Sequence, residues 1–335
     1  MRGASEDLQT RAVTSYDVAR LAGVSQSAVS RALTPGGSVS DATRARIMAA
    51  VATLGYRPNA IARSLITQRS NMVAIIVANI DFHPEMTAHL SRAFAARGQH
   101  VLLFTLEQEA EADNVIDQIW QYRVDGVVAA VTLPRQHVAL LRGRRTPLVF
   151  LNRTYPDLPT NSVCCDQIAG ERLLVDRLVA AGHRRFGIIQ GPPDSAVGSQ
   201  RVDEAVRRLR DAGIDEIAME AGSFDYASGR AAMNRMAHAL PDAVICANDM
   251  MACGALDAAR HDLGLTVPRD VSVVGFDGLV QASWAAYDLV TVRQPTRAMV
   301  DAAVDMLIAR LDDPDLGTET RMFAGSFVEG TSARL

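Results

Sequence analysis

The 335-residue chain is 48% hydrophobic and 21% charged, enough apolar residue for a sizeable core spread over two or three domains. All 34 basic residues are Arg, and the formal net charge is −4. Without lysine there is neither a Walker A phosphate loop nor a Schiff-base site, and HExxH, GxSxG and GxGxxG are absent as well. No apolar run approaches the ~18 residues of a membrane span, and residues 1–13 lack the apolar core of a signal peptide, so a cytoplasmic protein with no membrane partner is expected. Cys164, Cys165, Cys246 and Cys253 show no CxxC or Cys/His spacing; they read as buried reduced thiols, with no metal and no cofactor. Charge is unevenly divided: nine Arg face four acids up to residue 70, whereas the remaining 25 Arg face 34 acids. A small basic head suited to a polyanion precedes a large acidic body.

Residues 1–13 read as a disordered tail. In "YDVARLAGVSQSAVSRAL", residues 16–33, Val18, Leu21 and Ala22 recur at helical spacing, Gly23 and Val24 make a tight turn, and Ser25 caps a second helix. On that helix Ala28, Val29 and Ala32 or Leu33 turn inward, leaving Gln26, Ser27, Ser30 and Arg31 outward. A third helix follows "TPGGSV", with Ser40 as cap, Ile47, Val51 and Leu54 as its apolar stripe, and Pro58 as its end. Residues 14–58 thus follow the helix-turn-helix plan, whose second helix lies in the DNA major groove. Short polar side chains permit close approach, and Arg31 can grip guanine through two hydrogen bonds. Residues 59–70 read as a hinge helix and linker. Asn59 caps a segment, 60–65, too short to be stable alone, with Ala62 and Leu65 on one face as apolar wedges for the minor groove.

From residue 72 short apolar runs ("MVAIIVA", "HVLLFT", "GVVAAV", "LVFL", "FGIIQG", "AVICAN", "VSVVGF") alternate with helical patterns, such as 85–97, 169–181, 204–212 and 250–262. Runs apolar throughout imply strands covered on both faces, hence parallel sheets in an α/β arrangement. Two sets of units, before and after residue 160, imply two similar lobes within 71–335; with three crossings expected near residues 163, 293 and 320, the N-lobe is about 71–163 and 293–320 and the C-lobe about 164–292 and 321–330. Ligands bind beyond the carboxyl ends of such strands. That rule singles out residues 79–82, Asn152 with Arg153, Asn248 with Asp249, and Phe276 with Asp277, a set able to form a cleft for a small polar molecule. Asn248 reads equally well as a helix cap. The histidines are scattered, His183 reading as solvated or loop-satisfying, and no catalytic constellation marks an enzyme.

The stretches "TSYDVARLAGVSQSAVSRAL", "VSDATRARIMAAVATLGYRPNAIARSL", "AGHRRFGIIQGPP", "CANDMMACGALDAA", "DVSVVGFD" and "TVRQPT" resemble the LacI/GalR family of bacterial transcription regulators over about residues 14–330. The resemblance implies an all-α helix-turn-helix DNA-binding head plus an α/β two-lobed periplasmic-binding-protein-like core with parallel sheets. It implies a ligand-responsive, sequence-specific repressor that binds a pseudo-palindromic double-stranded operator as a homodimer. A tetramer is the larger alternative, although no leucine heptad follows residue 330 to build one. By position, Ser25, Gln26, Ser27, Ser30 and Arg31 match the DNA-contacting pattern, and Asn59, Ala62 and Leu65 match the hinge, with Leu65 as the intercalating residue. Arg201, Asn248 and Asp277 fall on effector-contacting positions, with Asn152, Phe224, Gln294 and Phe82 as companions; Arg201, Asp277 and the asparagines suit a hydroxylated effector, neutral or anionic, such as a sugar or sugar acid, and nucleobases use similar donors and acceptors. The chain departs from the family in a shortened loop, "NIDFHPEM", which shifts Phe82, in Glu204 and Ala205 replacing a Gly-aromatic pair, and in Gly278 replacing a second acid. These departures leave room for a regulator controlled by a protein partner; a sugar-binding receptor of the same fold is the other alternative.

Overall fold

The computed structural model describes residues 13–34, 36–57, 69–78, 84–106, 111–155, 157–193 and 195–335. Two units separate, residues 1–70 and 71–335. In the first, α1 (Ser15–Ala22), α2 (Gln26–Ala32) and α3 (Asp41–Leu54) enclose Val18, Ala19, Ala22, Val29, Ala32, Ile47 and Ala50. The Asp17 carboxylate starts α1 by accepting from the Thr14 backbone N–H (3.0 Å) and hydroxyl (2.8 Å). Leu21, expected inside, is 53% exposed. The buried face runs through Val18, Ala19 and Ala22, and Leu21 lies about 120° around the helix from its middle. A second correction concerns the end of α3, which stops at Gly55 (φ 59°) and not at Pro58. The left-handed glycine lets Tyr56 N–H donate to Val51 O at 3.1 Å, so the helix is closed before proline is reached.

The second unit starts with β1 (Met72–Val77), α4 (Pro84–Ala95), β2 (His100–Thr105), α5 (Ala112–Gln121), β3 (Gly126–Ala129), α6 (Arg135–Gly143), β4 (Leu148–Leu151) and β5 (Asn161–Cys165). It continues through α7 (Gln167–Ala180), β6 (Phe186–Gln190), α8 (Ala196–Asp211), β7 (Ile217–Ala221), α9 (Tyr226–Arg235), β8 (Ala243–Cys246), α10 (Asp249–Asp257), β9 (Ser272–Val274) and β10 (Thr291–Arg293). It ends with α11 (Thr296–Asp312), β11 (Thr320–Phe323) and β12 (Ser326–Val328). A six-stranded parallel sheet, ordered β11-β5-β4-β3-β1-β2, forms one lobe, and a four-stranded parallel sheet, β7-β6-β8-β9, forms the other. β1 is buried along nearly its whole length because helices cover both faces: Leu90 and Phe94 of α4 with Met299 and Val300 of α11 on one, Ile116 of α5 and Leu141 of α6 on the other.

The chain passes between lobes after β5, after β10 and after β11. The last passage differs from expectation: β11 pairs in parallel with β5, Thr320 opposite Ser162 and Phe323 opposite Cys165. Residues 321–323 therefore belong to the first lobe, since an added edge strand satisfies β5's outer backbone groups, and the chain leaves at 324–325 to pair β12 antiparallel with β10.

Close helix packing aligns the start of α10. A Cβ on Gly254 would sit 2.0 Å from Tyr226 O, and one on Gly229 2.2 Å from Met251 O. Gly254→Ala is expected to destabilise the second unit by about 1–3 kcal/mol through forced separation of α9 and α10. Thermal or urea unfolding of the full chain measures it; an unchanged midpoint would show that these helices are not so tightly apposed.

Candidate DNA interface and effector cleft

On the head, the Ser25 hydroxyl caps α2 by accepting from Ala28 N–H (3.2 Å) and lies 2.9 Å from the Ser27 hydroxyl. Gln26 is half-buried, its amide donating to Ser15 Oγ at 3.4 Å. Arg44 secures the loop after α2, donating to Ala32 O (2.5 Å) and Gly37 O (2.7 Å). Ser27 and Arg31, one turn apart, are exposed, and Ser30 is half-buried beside them. The Arg31 guanidinium makes no hydrogen bond to a described residue. One face of α2 therefore offers hydroxyls, an amide and a free fork of donors. Asn59, Ala62, Leu65 and Phe82 lie outside the described residues.

At the carboxyl ends of the body's strands, five side chains close a ring. Asn152, after β4, donates from Nδ2 to Gln294 Oε1 (3.0 Å), and Gln294, after β10, donates from Nε2 to Asp277 Oδ1 (2.6 Å). The same Asp277 oxygen accepts from Arg201 Nη2 (2.9 Å), Arg201 Nε donates to Gln167 Oε1 (2.8 Å), and Gln167 Nε2 donates back to Asn152 Oδ1 (2.8 Å). Arg201, from α8, also donates to Ala247 O (2.5 Å), and its guanidinium stacks 3.8 Å from the Phe276 ring centroid. Its side chain is 3% exposed and that of Asp277 6%, so this ion pair is desolvated and its remaining valences are met by amides and a carbonyl.

The turns at these strand ends are specialised. Asn152 has φ 56°, a left-handed conformation that asparagine tolerates. Gly278 has φ 72°, and a Cβ there would lie 2.5 Å from Arg293 Cα, which accounts for the missing second acid. Asn248 acts as the α10 cap: its Oδ1 accepts from Met251 N–H (2.9 Å) and its Nδ2 donates to Phe224 O (2.8 Å), so it stands outside the ring. The half-buried Phe224 ring lies over Gly191 and Gly198, where a Cβ would come within 2.3 and 3.0 Å of it.

Two family models match the chain: bacterial regulatory proteins, lacI family, over residues 14–59, and periplasmic binding protein-like domain over residues 175–333. The HTH-type transcriptional regulator CelR of Thermobifida fusca is 34% identical over 309 residues, 88% of this chain and 90% of the relative. The chain belongs to the LacI family of bacterial regulatory proteins. The ribose operon repressor of Escherichia coli K12 is 30% identical over 332 residues, 96% of this chain and 99% of that protein. A crystal structure of the Lac repressor dimer bound to operator and the anti-inducer ONPF superposes with a TM-score of 0.88 at 27% identity, covering 97% of this chain and 100% of that one. A CelR–cellobiose complex has a TM-score of 0.73 at 29% identity, covering 96% and 100%. This LacI-family chain is accordingly a DNA-binding transcription regulator and not an enzyme.

Sequence reasoning about the regulator missed Gln167, because "NSVCC" was too short and polar to mark a strand end. It singled out Asp249 without foreseeing its burial, and it missed a second buried carboxyl, Glu171. Asp249 accepts from the Thr291 hydroxyl (2.6 Å) and Leu279 N–H (2.8 Å); burial, helped by Asp277, pushes it up to about 7. Glu171, on α7, is buried with neither oxygen hydrogen-bonded, and burial pushes it up to about 8, Arg201 opposing and Glu204 reinforcing. Glu204 is buried and accepts from Arg172 (3.0 Å) and Arg207 (2.7 and 2.9 Å). The four cysteines are free and buried, burial raising all four thiols. Of the two readings of His183, the loop-satisfying one holds: it is buried, with Nε2 3.0 Å from Arg334 O. Among the described residues no helix is long and apolar enough to cross a membrane.

Glu171 makes a pH prediction. The unfolded chain releases this proton near the ordinary 4.5, the folded one only near 8, so the group weakens the fold as pH rises between those values, by up to about 1.4 kcal/mol per pH unit. Glu171→Gln should raise the melting temperature relative to wild type more at pH 8 than at pH 5. A pH-independent difference would rule this linkage out.

Proposed function

We propose that this regulator reads a pseudo-palindromic operator as a homodimer, most simply as a cytoplasmic repressor, with affinity set by a small polar effector in the cleft of the 71–335 body. The observation that carries the reading is the five-residue ring, because its members come from segments of both lobes and a ligand replacing any of its hydrogen bonds acts on their relative arrangement. Residues 14–58 serve as the reading head and 59–70 as the hinge. Gln26 and Ser27 tune base preference, Ser25 and Ser30 face phosphates, and Arg31 takes guanine. By family resemblance Asn59 and Ala62 build the hinge helix, and Leu65 enters the minor groove at a central step.

Arg201, Asp277, Asn152 and Gln294 contact the effector, Phe224 and Phe82 supply aromatic walls, and Asn248 holds the α10 cap. Names such as ribose operon repressor and the cellobiose complex support a hydroxylated ligand, a sugar or sugar acid. An effector coupling of about 1–3 kcal/mol is expected, acting through its different affinity for two states. Glu204 and Gly278 have structural accounts, so they lend no support to control by a protein partner.

Selection of bound sequences from random DNA by the full-length protein, at stated salt, should return a pseudo-palindrome; no enrichment with or without candidate sugars would sink the reading. Arg31→Ala should cost about 1–3 kcal/mol and relax preference at one base pair per half-site, and unchanged discrimination in titration would remove that role. Arg201→Ala should abolish the effector response while operator binding persists; a normal response would free Arg201 from the site.

A further inference from the structure

The charge balance around the ring is incomplete. Arg153 follows Asn152 at the end of β4 and is half-buried, yet among the described residues its guanidinium makes one hydrogen bond, Nη1 to Asn152 O at 2.7 Å, and no ion pair with a carboxylate. Several arginines of the body are matched by carboxylates, Arg172 and Arg207 with Glu204, Arg230 with Asp262 and Arg235 with Glu220, whereas Arg153, beside the ring, is not. Asp277, whose charge acts on it, is already committed to Arg201 and Gln294. Burial holds the Arg153 guanidinium below its ordinary value and the Arg201 charge pushes the same way, though arginine stays charged in proteins. Glu171, raised to about 8, supplies little compensating charge at neutral pH, and Asp249, raised to about 7, supplies only part of one. Two guanidiniums thus share one committed carboxylate, and Nε and Nη2 of Arg153 are left as a planar fork of donors, the geometry that matches a carboxylate or phosphate.

We infer that the effector carries an anionic group, a carboxylate or a phosphate, that docks on Arg153 while its hydroxyls engage the ring. The inference rests on the reading of this cleft as the effector site. It selects an acidic or phosphorylated sugar over a neutral one.

The test is a thermal-shift titration of full-length wild type, Arg153→Met and Arg153→Lys with inorganic phosphate against sodium chloride at matched ionic strength, followed by D-glucose, D-gluconate and D-glucose 6-phosphate. Phosphate should stabilise wild type saturably. Arg153→Met should lose at least tenfold in apparent affinity, and Arg153→Lys, which keeps the charge without the fork, should retain part of it. Should Arg153→Met fail to fold, Arg153→Lys carries the comparison. Gluconate and glucose 6-phosphate arms separate carboxylate from phosphate as the source. A phosphate shift equal in wild type and variants, no shift beyond chloride, or glucose binding as tightly as its anionic forms overturns the inference. Failure of the effector reading itself would look different: no ligand response of operator binding that Arg201→Ala or Asp277→Ala alters.

Discussion

A guanidinium taken almost wholly out of water is costly unless every face of it is met, and Arg201 organises its half of the regulator around that requirement. Asp277 supplies charge, Gln167 and Ala247 O supply acceptors, and Phe276 covers the flat side. Gln294 and Asn152 then carry the network across to the other lobe, each using its carbonyl as acceptor and its NH2 as donor. Because Arg201 donates both to Asp277 and to Gln167, and the chain of donors from Gln167 through Asn152 and Gln294 ends on the same Asp277 oxygen, displacing one member unpairs its neighbours. The arrangement depends on the ends of β4, β9 and β10 and the starts of α7 and α8 being placed together.

Beneath the polar cleft a continuous apolar core reaches both sheets, from Val73, Val128 and Val149 to Phe186, Ile188 and Ile245, with Phe276 and Val292 between them. Three chain passages join the lobes. Packed sheets resist deformation while short connections bend, so a ligand that replaces ring bonds can reorient one lobe on the other at little cost within either. The ring is where such a ligand would meet both lobes at once.

Much of this was legible in one dimension. The Ser25 and Ser40 caps, the inward Val29 and Ile47, and the apolar β1, β3, β4, β6 and β8 followed from period and cap chemistry alone. Leu21 was misplaced because three-residue spacing leaves the centre of a helical face undetermined until its neighbours are known. Pro58 was chosen over Gly55 because proline's effect on a helix is certain and glycine's depends on whether the chain turns left-handed there. β10 (TVR), β11 (TRMF) and β12 (SFV) are short and mix polar with apolar residues, so no continuous apolar run marks them.

Sequence alone therefore determined the local matters: which segments are helices or buried strands, where caps fall, which end is basic, and, by resemblance, the family. Tertiary structure decided which strand ends meet. It made Asn248 a cap and admitted Gln167 to the ring, assigned Glu204 to the α7–α8 ion pairs, and left Arg153 without a counter-charge. The physical reason is range. Caps and periodicities are set by residues a turn apart, whereas a hydrogen bond between Asn152 and Gln294, 142 positions apart in the chain, exists only once both lobes are folded.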